Sequence, residues 1–269
     1  LAYAGEADHE QETEAISFRR NLAEGAEFLE QGTKSGQTRA LARFKAARAQ
    51  RPESEEAYYW MGLTYSDMQN YDLAARHAEK ATLCERSLAR AWLLWGQSLL
   101  YLQQWDEAKE KLDRAHQLDA DDPLVSYNLG RCYFHGYNNV NDALYLFKET
   151  VRRIGDPKRA GRLGRIYLQA KLYVGACCLR KDMILAAISA FKDVLKQDKA
   201  NLDARFRLGV AYRLNDRISE AERTLAVVLR QRPRHYEALL QLGHIYVVDR
   251  PNRRLAEYYL GAYLRAAPV

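Results

Sequence analysis

Cysteine and histidine are the residue types in this chain that could hold a metal ion or act as nucleophiles. The chain has four cysteines, at positions 84, 132, 177 and 178, and six histidines. Cys132 and His135 lie three residues apart, a spacing that suits one metal ion, but a structural zinc site needs four ligands and no second pair follows. We therefore predict no metal site and no cofactor.

Sequence motifs for catalysis are missing from the chain as well. It contains no Gly-rich phosphate loop, no nucleophile elbow and no His-Glu-x-x-His motif. We therefore predict that the protein is not an enzyme and has no catalytic residues. Cys132 and Cys178 are interpreted as small core residues. A disulfide framework is the alternative, although a helical core of this size does not need one.

Basic side chains form a third group that could do chemistry. Residues 152–171 carry seven basic side chains and one acidic side chain. The predicted basic patch consists of Arg152, Arg153, Lys158, Arg159, Arg162 and Arg165. Such a patch could bind an anionic membrane surface or an acidic protein, or it could be the solvated face of a helix. Nucleic acid is disfavoured, because the patch is one-sided and no base-reading module is visible.

A repeat of 34 residues organises the chain that carries these groups. Glycines recur at that interval in two series, which are Gly62, Gly96, Gly130 and Gly164, then Gly175, Gly209 and Gly243. In residues 89–122, apolar residues follow helical spacing on both sides of a polar break at 103–106, which predicts a helix–turn–helix hairpin. Neither helix can bury its apolar face alone, so the hairpins must stack.

This pattern resembles the tetratricopeptide repeat (TPR) family, whose repeats carry W, L-G, Y, A, F, A and a closing P. The residues at matching positions are Trp92, Trp95-Gly96, Phe44, Phe147, Phe191, Pro52 and Pro233. The resemblance covers nearly the whole chain from residue 21. It implies an all-α fold, a right-handed superhelical α-solenoid of about seven helix–turn–helix hairpins.

The repeat boundaries predict how the chain is divided. We expect an N-terminal tail and helix start (1–20, with the tail over 1–8), an N-terminal capping repeat (21–54, with a loop at 34–38), three TPR repeats (55–155), a repeat with an elongated first helix (156–201), and two C-terminal repeats (202–269). The elongated helix is predicted over 158–180, because Gly164 and Gly175 are only 11 residues apart and no helix breaker separates them. The expected N-caps of second helices are Asp72, Asp106, Asn141 and Ser219.

In arrays of this family the first helices line a concave groove. The resemblance therefore implies that residues beside the glycines face a partner there. This predicted groove set is Tyr59, Leu63, Arg90, Leu93, Gln97, Tyr127, Arg131, Phe134, Phe206 and Arg213, with Val210, Leu240 and His244 beside it. Aromatic and arginine side chains suit the binding of a peptide or helix. The alternative is that several of them pack against the next repeat.

The function that follows is a non-enzymatic scaffold or adaptor that binds a peptide or partner helix in the groove, as a subunit of a larger complex. The alternative is an electrostatic tether to an anionic membrane surface or an acidic protein through residues 158–171. No run of about 18 apolar residues predicts a transmembrane segment. Free thiols favour the reducing cytoplasm, whereas Ala2-Tyr3-Ala4 is similar to a signal-peptidase site, so a periplasmic or membrane-associated location stays open.

Overall fold

The computed structural model of this protein describes the backbone of residues 2–267 and the side chains of residues 12–267. Within that range every regular element is helical and no strand occurs, so the predicted all-α fold of stacked hairpins is confirmed. Among the described helices, none is long and apolar enough to cross a membrane.

Two compact units make up the chain, Leu1–Asn138 (unit 1) and Asn139–Val269 (unit 2). The helices of unit 1 are α1 (Ala2–Glu30), α2 (Lys34–Gln50), α3 (Glu55–Asp67), α4 (Tyr71–Cys84), α5 (Ala89–Tyr101), α6 (Trp105–Leu118) and α7 (Pro123–His135). Those of unit 2 are α8 (Val140–Ile154), α9 (Leu163–Arg180), α10 (Ile184–Gln197), α11 (Leu202–Leu214), α12 (Ile218–Gln231), α13 (Tyr236–His244), which continues into a π-helical turn (Ile245–Asp249), and α14 (Arg253–Ala266).

The odd-numbered helices are the first helices of the hairpins, and the even-numbered helices are the second helices. First helices also contact one another across hairpins: α3 contacts α1 and α5, α5 contacts α7, and α9 contacts α11. We call the side of each unit on which first helices contact one another its inner side.

In several hairpins of each unit, a large side chain of the second helix packs against a glycine of the first helix. The side chains of Phe44, Phe147 and Phe191 are fully buried. A Cβ atom on Gly175 would lie 2.4 Å from Cε1 of Phe191, which is closer than real Cβ contacts allow. The absence of a side chain at Gly175 therefore lets α9 approach α10 closely enough to enclose the phenylalanine.

The turns inside the hairpins share one backbone conformation. A non-glycine residue with positive φ ends the turn directly before the N-cap of the second helix. These residues are Gln69, Gln103, Asn138, Asp182 and Asp216. Asn70 and Asn139 then cap α4 and α8, accepting hydrogen bonds from the amides of Leu73 and Asp142.

The four N-caps predicted for second helices are therefore wrong. Asp72, Asp106 and Asn141 lie one or two residues inside their helices, and Ser219 lies inside α12, whose N-cap is Arg217. The tight left-handed turn starts each second helix earlier than the polar residue suggested. Asp106 instead accepts a hydrogen bond from the hydroxyl of Tyr137 at 2.5 Å.

The elongated first helix exists, but it begins at Leu163 rather than at residue 158. Turns occupy residues 157–162, and Gly161 there has a left-handed φ of +54°. The carbonyl oxygen of Pro157 lies against Gly164, 2.6 Å from the position that a Cβ atom would take. This chain reversal ends the helical path between residues 158 and 163, which the absence of an obvious breaker did not reveal.

Two N-terminal expectations are also corrected. The first helix starts at Ala2, so residues 2–8 are helical rather than a tail, whereas Leu1 lies outside the described residues. This stretch lacks proline and has three alanines among its seven residues, and alanine favours helix. The loop predicted at 34–38 is the start of α2, because the hydroxyl of Thr33 caps it by accepting from the amide of Gly36.

One extra residue separates the glycine and alanine positions in two hairpins. The spacing is 12 residues from Gly209 to Ala221, but 13 from Gly130 to Ala143 and from Gly243 to Ala256. The first insertion lies in the turn between α7 and α8. The second is taken up by the π-helical turn, since a π turn accommodates one more residue than an α turn.

Candidate protein-binding surface

The inner face of unit 1 carries a ladder of charged and aromatic side chains across α3 and α5. Arg90 lies 3.6 Å from Glu56, and its guanidinium lies 4.6 Å from the ring centroid of Tyr59. Burial raises the pKa of Tyr59, and the nearby charge of Arg90 opposes that rise. Arg90 is exposed, whereas Tyr59 is half-buried, so both can be reached from solvent.

A second cluster on the same unit surrounds Arg131 of α7. Its guanidinium lies 4.8 Å from the ring centroid of Tyr101 and donates to the side-chain oxygen of Asn128 at 3.1 Å. Tyr101 stacks on Tyr71 with 4.3 Å between ring centroids. Arginine stacked on tyrosine offers a partner a flat apolar surface and further N–H donors.

The corresponding face of unit 2 is arranged around Arg213 of α11. The Nε atom of Arg213 donates to Gln241 Oε1 at 3.0 Å, and a terminal nitrogen lies 3.8 Å from Asp249. His244 Nδ1 lies 3.7 Å from the same carboxylate. Phe206 packs against the ring of His235 at 5.0 Å. Asp249 reaches this network because it belongs to the π-helical turn.

The residues of the predicted groove set differ in their exposure to solvent. Tyr59, Leu63, Gln97, Arg131, Phe206 and Arg213 are half-buried and Arg90 is exposed. Leu93, Tyr127 and Phe134 are buried, with at most 8 % of their surface accessible, so their predicted exposure is wrong. Of the neighbouring positions, Val210 is half-buried, while Leu240 and His244 are exposed.

The basic patch does not form one helix face. Arg152 and Arg153 lie in the last turn of α8 and both pair with Glu149 at 2.5–2.8 Å. Hydrogen bonds from these two arginines lower the pKa of Glu149 to about 2. Lys158 and Arg159 lie in the turn region, Arg162 precedes α9, and Arg165 lies in its first turn. Residues 158, 162 and 165 would share one face only in a helix that begins at residue 158, whereas α9 begins at Leu163.

The cysteines have the environment of core residues. Cys132, Cys177 and Cys178 are buried free thiols. Burial raises the pKa of Cys132 to about 11 and that of Cys177 to about 12, which disfavours the reactive thiolate at neutral pH. Across the described side chains, no group of three or more histidine, cysteine or acidic residues is placed to hold a metal ion.

Several side chains of the inner face were absent from the sequence-based set. They are Glu56, Tyr101, Asn128, Gln241 and Asp249. Tyr101 and Glu56 lie on the same first helices as predicted members, so a search over the whole inner face of each helix could have found them. Asp249 could not be found that way, because it depends on the π-helical turn.

Comparisons with known proteins agree with this architecture. Family profiles described as tetratricopeptide repeat match residues 93–158 and 181–247, and a profile for anaphase-promoting complex, cyclosome, subunit 3 matches residues 39–115. Among curated proteins, no sequence matches.

Solved structures of low sequence identity share the fold. A structure of pilF from Pseudomonas aeruginosa is 16 % identical with a TM-score of 0.70, covering 84 % of this chain and 96 % of that one. The Cut9-Hcn1 structure of the APC/C is 16 % identical with a TM-score of 0.68, and the match covers 93 % of this chain and 46 % of that one. YrrB, described as a TPR protein with an unusual peptide-binding site, is 22 % identical with a TM-score of 0.58. The match covers 74 % of this chain and 96 % of that one. With its 34-residue register, its stacked hairpins and these matching profiles, the chain belongs to the tetratricopeptide repeat family.

Proposed function

We propose that this protein is a non-enzymatic scaffold that binds a peptide or a helix of a partner protein on the inner face of unit 1, as a subunit of a larger complex. The observation that carries the proposal is the pair of arginine–tyrosine contacts, Arg90 with Tyr59 and Arg131 with Tyr101. Both pairs are accessible and lie on first helices that contact one another directly.

The chemistry of these pairs suits a peptide. The tyrosine rings offer apolar area with little rotamer entropy to lose, and each arginine keeps N–H groups for carbonyl or carboxylate oxygens of the partner. Leu63 and Gln97, half-buried nearby on α3 and α5, add one apolar and one amide contact. YrrB is described as a TPR protein with an unusual peptide-binding site, and the Cut9-Hcn1 structure is an APC/C hetero-tetramer. Both similarities support the proposal further.

Peptide selection tests the proposal. A random peptide library is displayed on phage and selected against the full chain, and the affinities of enriched peptides are measured by calorimetry. We expect the double variant Tyr59→Ala/Arg131→Ala to weaken binding at least about tenfold, as for hot-spot residues. The matched control is Tyr145→Ala/Arg114→Ala, which removes exposed side chains from second helices. Equal binding by both variants would overturn the proposal.

The alternative of a tether through residues 158–171 is supported less well. Its cations are spread over the turn region and the first half of α9, and Arg159 lies 3.7 Å from Asp156. The vesicle experiment described below compares this segment directly with another basic surface.

A further inference from the structure

The second helices of unit 2 present a basic face that the segment 158–171 does not include. Each second helix has a buried alanine at the corresponding position of the repeat: Ala40, Ala74 and Ala108 in unit 1, then Ala143, Ala187, Ala221 and Ala256 in unit 2. An α-helix turns by about 100° per residue. The side of the helix opposite the alanine is therefore formed by the residues two before, two after, five after and nine after it. We call these positions the outer face of the helix.

The outer face differs in charge between the two units. In α8, α10, α12 and α14 its sixteen positions hold eight cations and no acidic residue; the cations are Lys148, Arg152, Lys192, Lys196, Arg223, Arg230, Arg254 and Arg265. In α2, α4 and α6 its twelve positions hold two cations and five acidic residues, which are Asp72, Glu79, Asp106, Glu110 and Asp113.

The regularity is strongest at the position nine residues after the alanine. In unit 2 it is a cation in every second helix, namely Arg152, Lys196, Arg230 and Arg265, and all four are exposed. In unit 1 the same position holds Ala49, Leu83 and Gln117. The whole units follow the same trend: residues 1–138 carry 22 acidic and 16 basic side chains, and residues 139–269 carry 13 and 25. The net charges are therefore −6 and +12.

Exposed apolar side chains lie among these cations. Tyr145 is 68 % exposed, Leu185 69 % and Tyr258 64 %, and all three occupy the outer face. Local carboxylates neutralise part of the charge, since Arg152 pairs with Glu149 and Lys196 lies 3.3 Å from Asp193. The remaining cations still leave the face strongly positive.

We propose that the outer face of unit 2 binds an anionic phospholipid surface, on which the protein lies without spanning it. Rows of cations on four successive helices suit a broad sheet of headgroups better than a single peptide chain. Each cation near an anionic leaflet adds favourable energy, and exposed tyrosine and leucine side chains can enter the headgroup region. Nucleic acid would match the charges but would offer Leu185 no aliphatic environment, whereas the acyl region beneath the headgroups supplies one.

Vesicle co-sedimentation of the full chain tests this proposal. The vesicles are pure phosphatidylcholine, or phosphatidylcholine with about 30 % phosphatidylserine, each at about 50 mM and about 500 mM salt. We expect binding only to the phosphatidylserine vesicles, with most of it lost at high salt. The face variant replaces one cation on each helix (Arg152→Gln, Lys196→Gln, Arg230→Gln, Arg265→Gln). Its partition coefficient is expected to fall about a hundredfold or more.

The matched control changes the same net charge in the same unit, within the segment 158–171 (Lys158→Gln, Arg159→Gln, Arg162→Gln, Arg165→Gln). It is expected to bind within about threefold of the wild type, because these residues lie off the outer face. Circular dichroism checks that both variants are folded. Several results would overturn the proposal: no binding to phosphatidylserine vesicles, an equal loss in both variants, or displacement from vesicles by polyglutamate or a single-stranded oligonucleotide at lower charge concentration than the lipid.

Discussion

At the scale of single residues, glycines decide how closely the two helices of a hairpin approach. Gly175 leaves no room for a methyl group, because a Cβ atom would lie 2.4 Å from Phe191 Cε1. Gly261 on α14 is different: the nearest atom to its Cβ position is the end of the Arg265 side chain at 3.5 Å. The same residue type therefore has a packing role at one position and only a helix-propensity cost at the other.

These two glycines give a matched pair of substitutions. Gly175→Ala is expected to destabilise the protein by about 1–3 kcal/mol through overpacking. Gly261→Ala is expected to stabilise it by up to about 1 kcal/mol, since alanine favours helix over glycine. Urea unfolding followed by circular dichroism measures both effects. A Gly175→Ala variant as stable as the wild type would show that α9 and α10 can separate without cost.

His77 gives a pH-dependent prediction at the same scale. Burial, followed by the charges of Lys80, Arg48 and Lys45, lowers the pKa of His77 to about 4. In the unfolded chain the pKa is about 6.5, so the unfolded state binds more protons between these values. The contribution of His77 to the free energy of unfolding is therefore fully present above about pH 6.5, and it is lost as the pH decreases towards 4.

A substitution isolates this effect from that of the carboxylates. The ring of His77 stacks on Tyr65 at 5.2 Å, so phenylalanine can replace it in shape. Between pH 7 and pH 4.5, we expect the melting temperature of His77→Phe to fall by a few degrees less than that of the wild type. Identical pH profiles for the two proteins would refute this assignment.

At the scale of elements, the π-helical turn accommodates an inserted residue within one turn of helix. It lets α14 place Ala256 against the first helix although 13 residues separate Ala256 from Gly243. Deleting Val248, which is 58 % exposed, restores the 12-residue spacing. We expect this variant to fold with α-helical geometry throughout α13 and to melt no lower than the wild type.

The control deletion is Leu214, which occupies the corresponding position in α11 and is 47 % exposed. This hairpin already has the 12-residue spacing, so the deletion rotates the second helix by about 100° and buries the wrong face. A lower melting temperature is expected for this variant alone. If both deletions destabilise the protein equally, the π-helical turn is needed for some other reason.

The 34-residue period was sufficient to predict the hairpins, because glycine and the large residues opposite it recur wherever two helices touch. The position of Asp106 in the first turn of α6, rather than at its N-cap, was not predictable, since an acidic residue is favourable at both places. Likewise, the sequence around Gly161 resembles helix, and only the close approach of Pro157 to Gly164 shows that the chain turns there.

The candidate surface was predicted less completely than the fold. Periodicity identified which residues flank each glycine, and seven of the ten predicted members are accessible. It could not distinguish Tyr127, which is buried, from Tyr59, which is half-buried, because accessibility depends on side chains of neighbouring helices. The basic outer face of unit 2 was missed for a related reason: its cations are far apart in sequence and align only when the hairpins are superimposed.

At the scale of the whole molecule, stability is expected to be local, because each hairpin packs mainly on its neighbours. Phe191→Ala removes a fully buried ring, and such a change costs about 3–5 kcal/mol. In hydrogen–deuterium exchange, we expect faster exchange in α9, α10 and α11 with no change in α3 and α5.

Phe44→Ala supplies the reciprocal experiment in unit 1, because its ring is equally buried and packs against Gly25. Exchange should then increase in α1, α2 and α3, whereas α9–α11 stay protected. Faster exchange throughout the chain in either variant would show that the described hairpins unfold as one cooperative body instead.

The π-helical turn also has a consequence for inheritance. A codon gained at this point lengthens the repeat without changing which residues are buried. Selection for a stable core therefore does not act against the insertion. Relatives of this protein are then free to differ in repeat length at the last hairpin while keeping the same packing. A comparison of genes that demands a strict 34-residue interval would break at such sites and would count fewer repeats than the proteins contain.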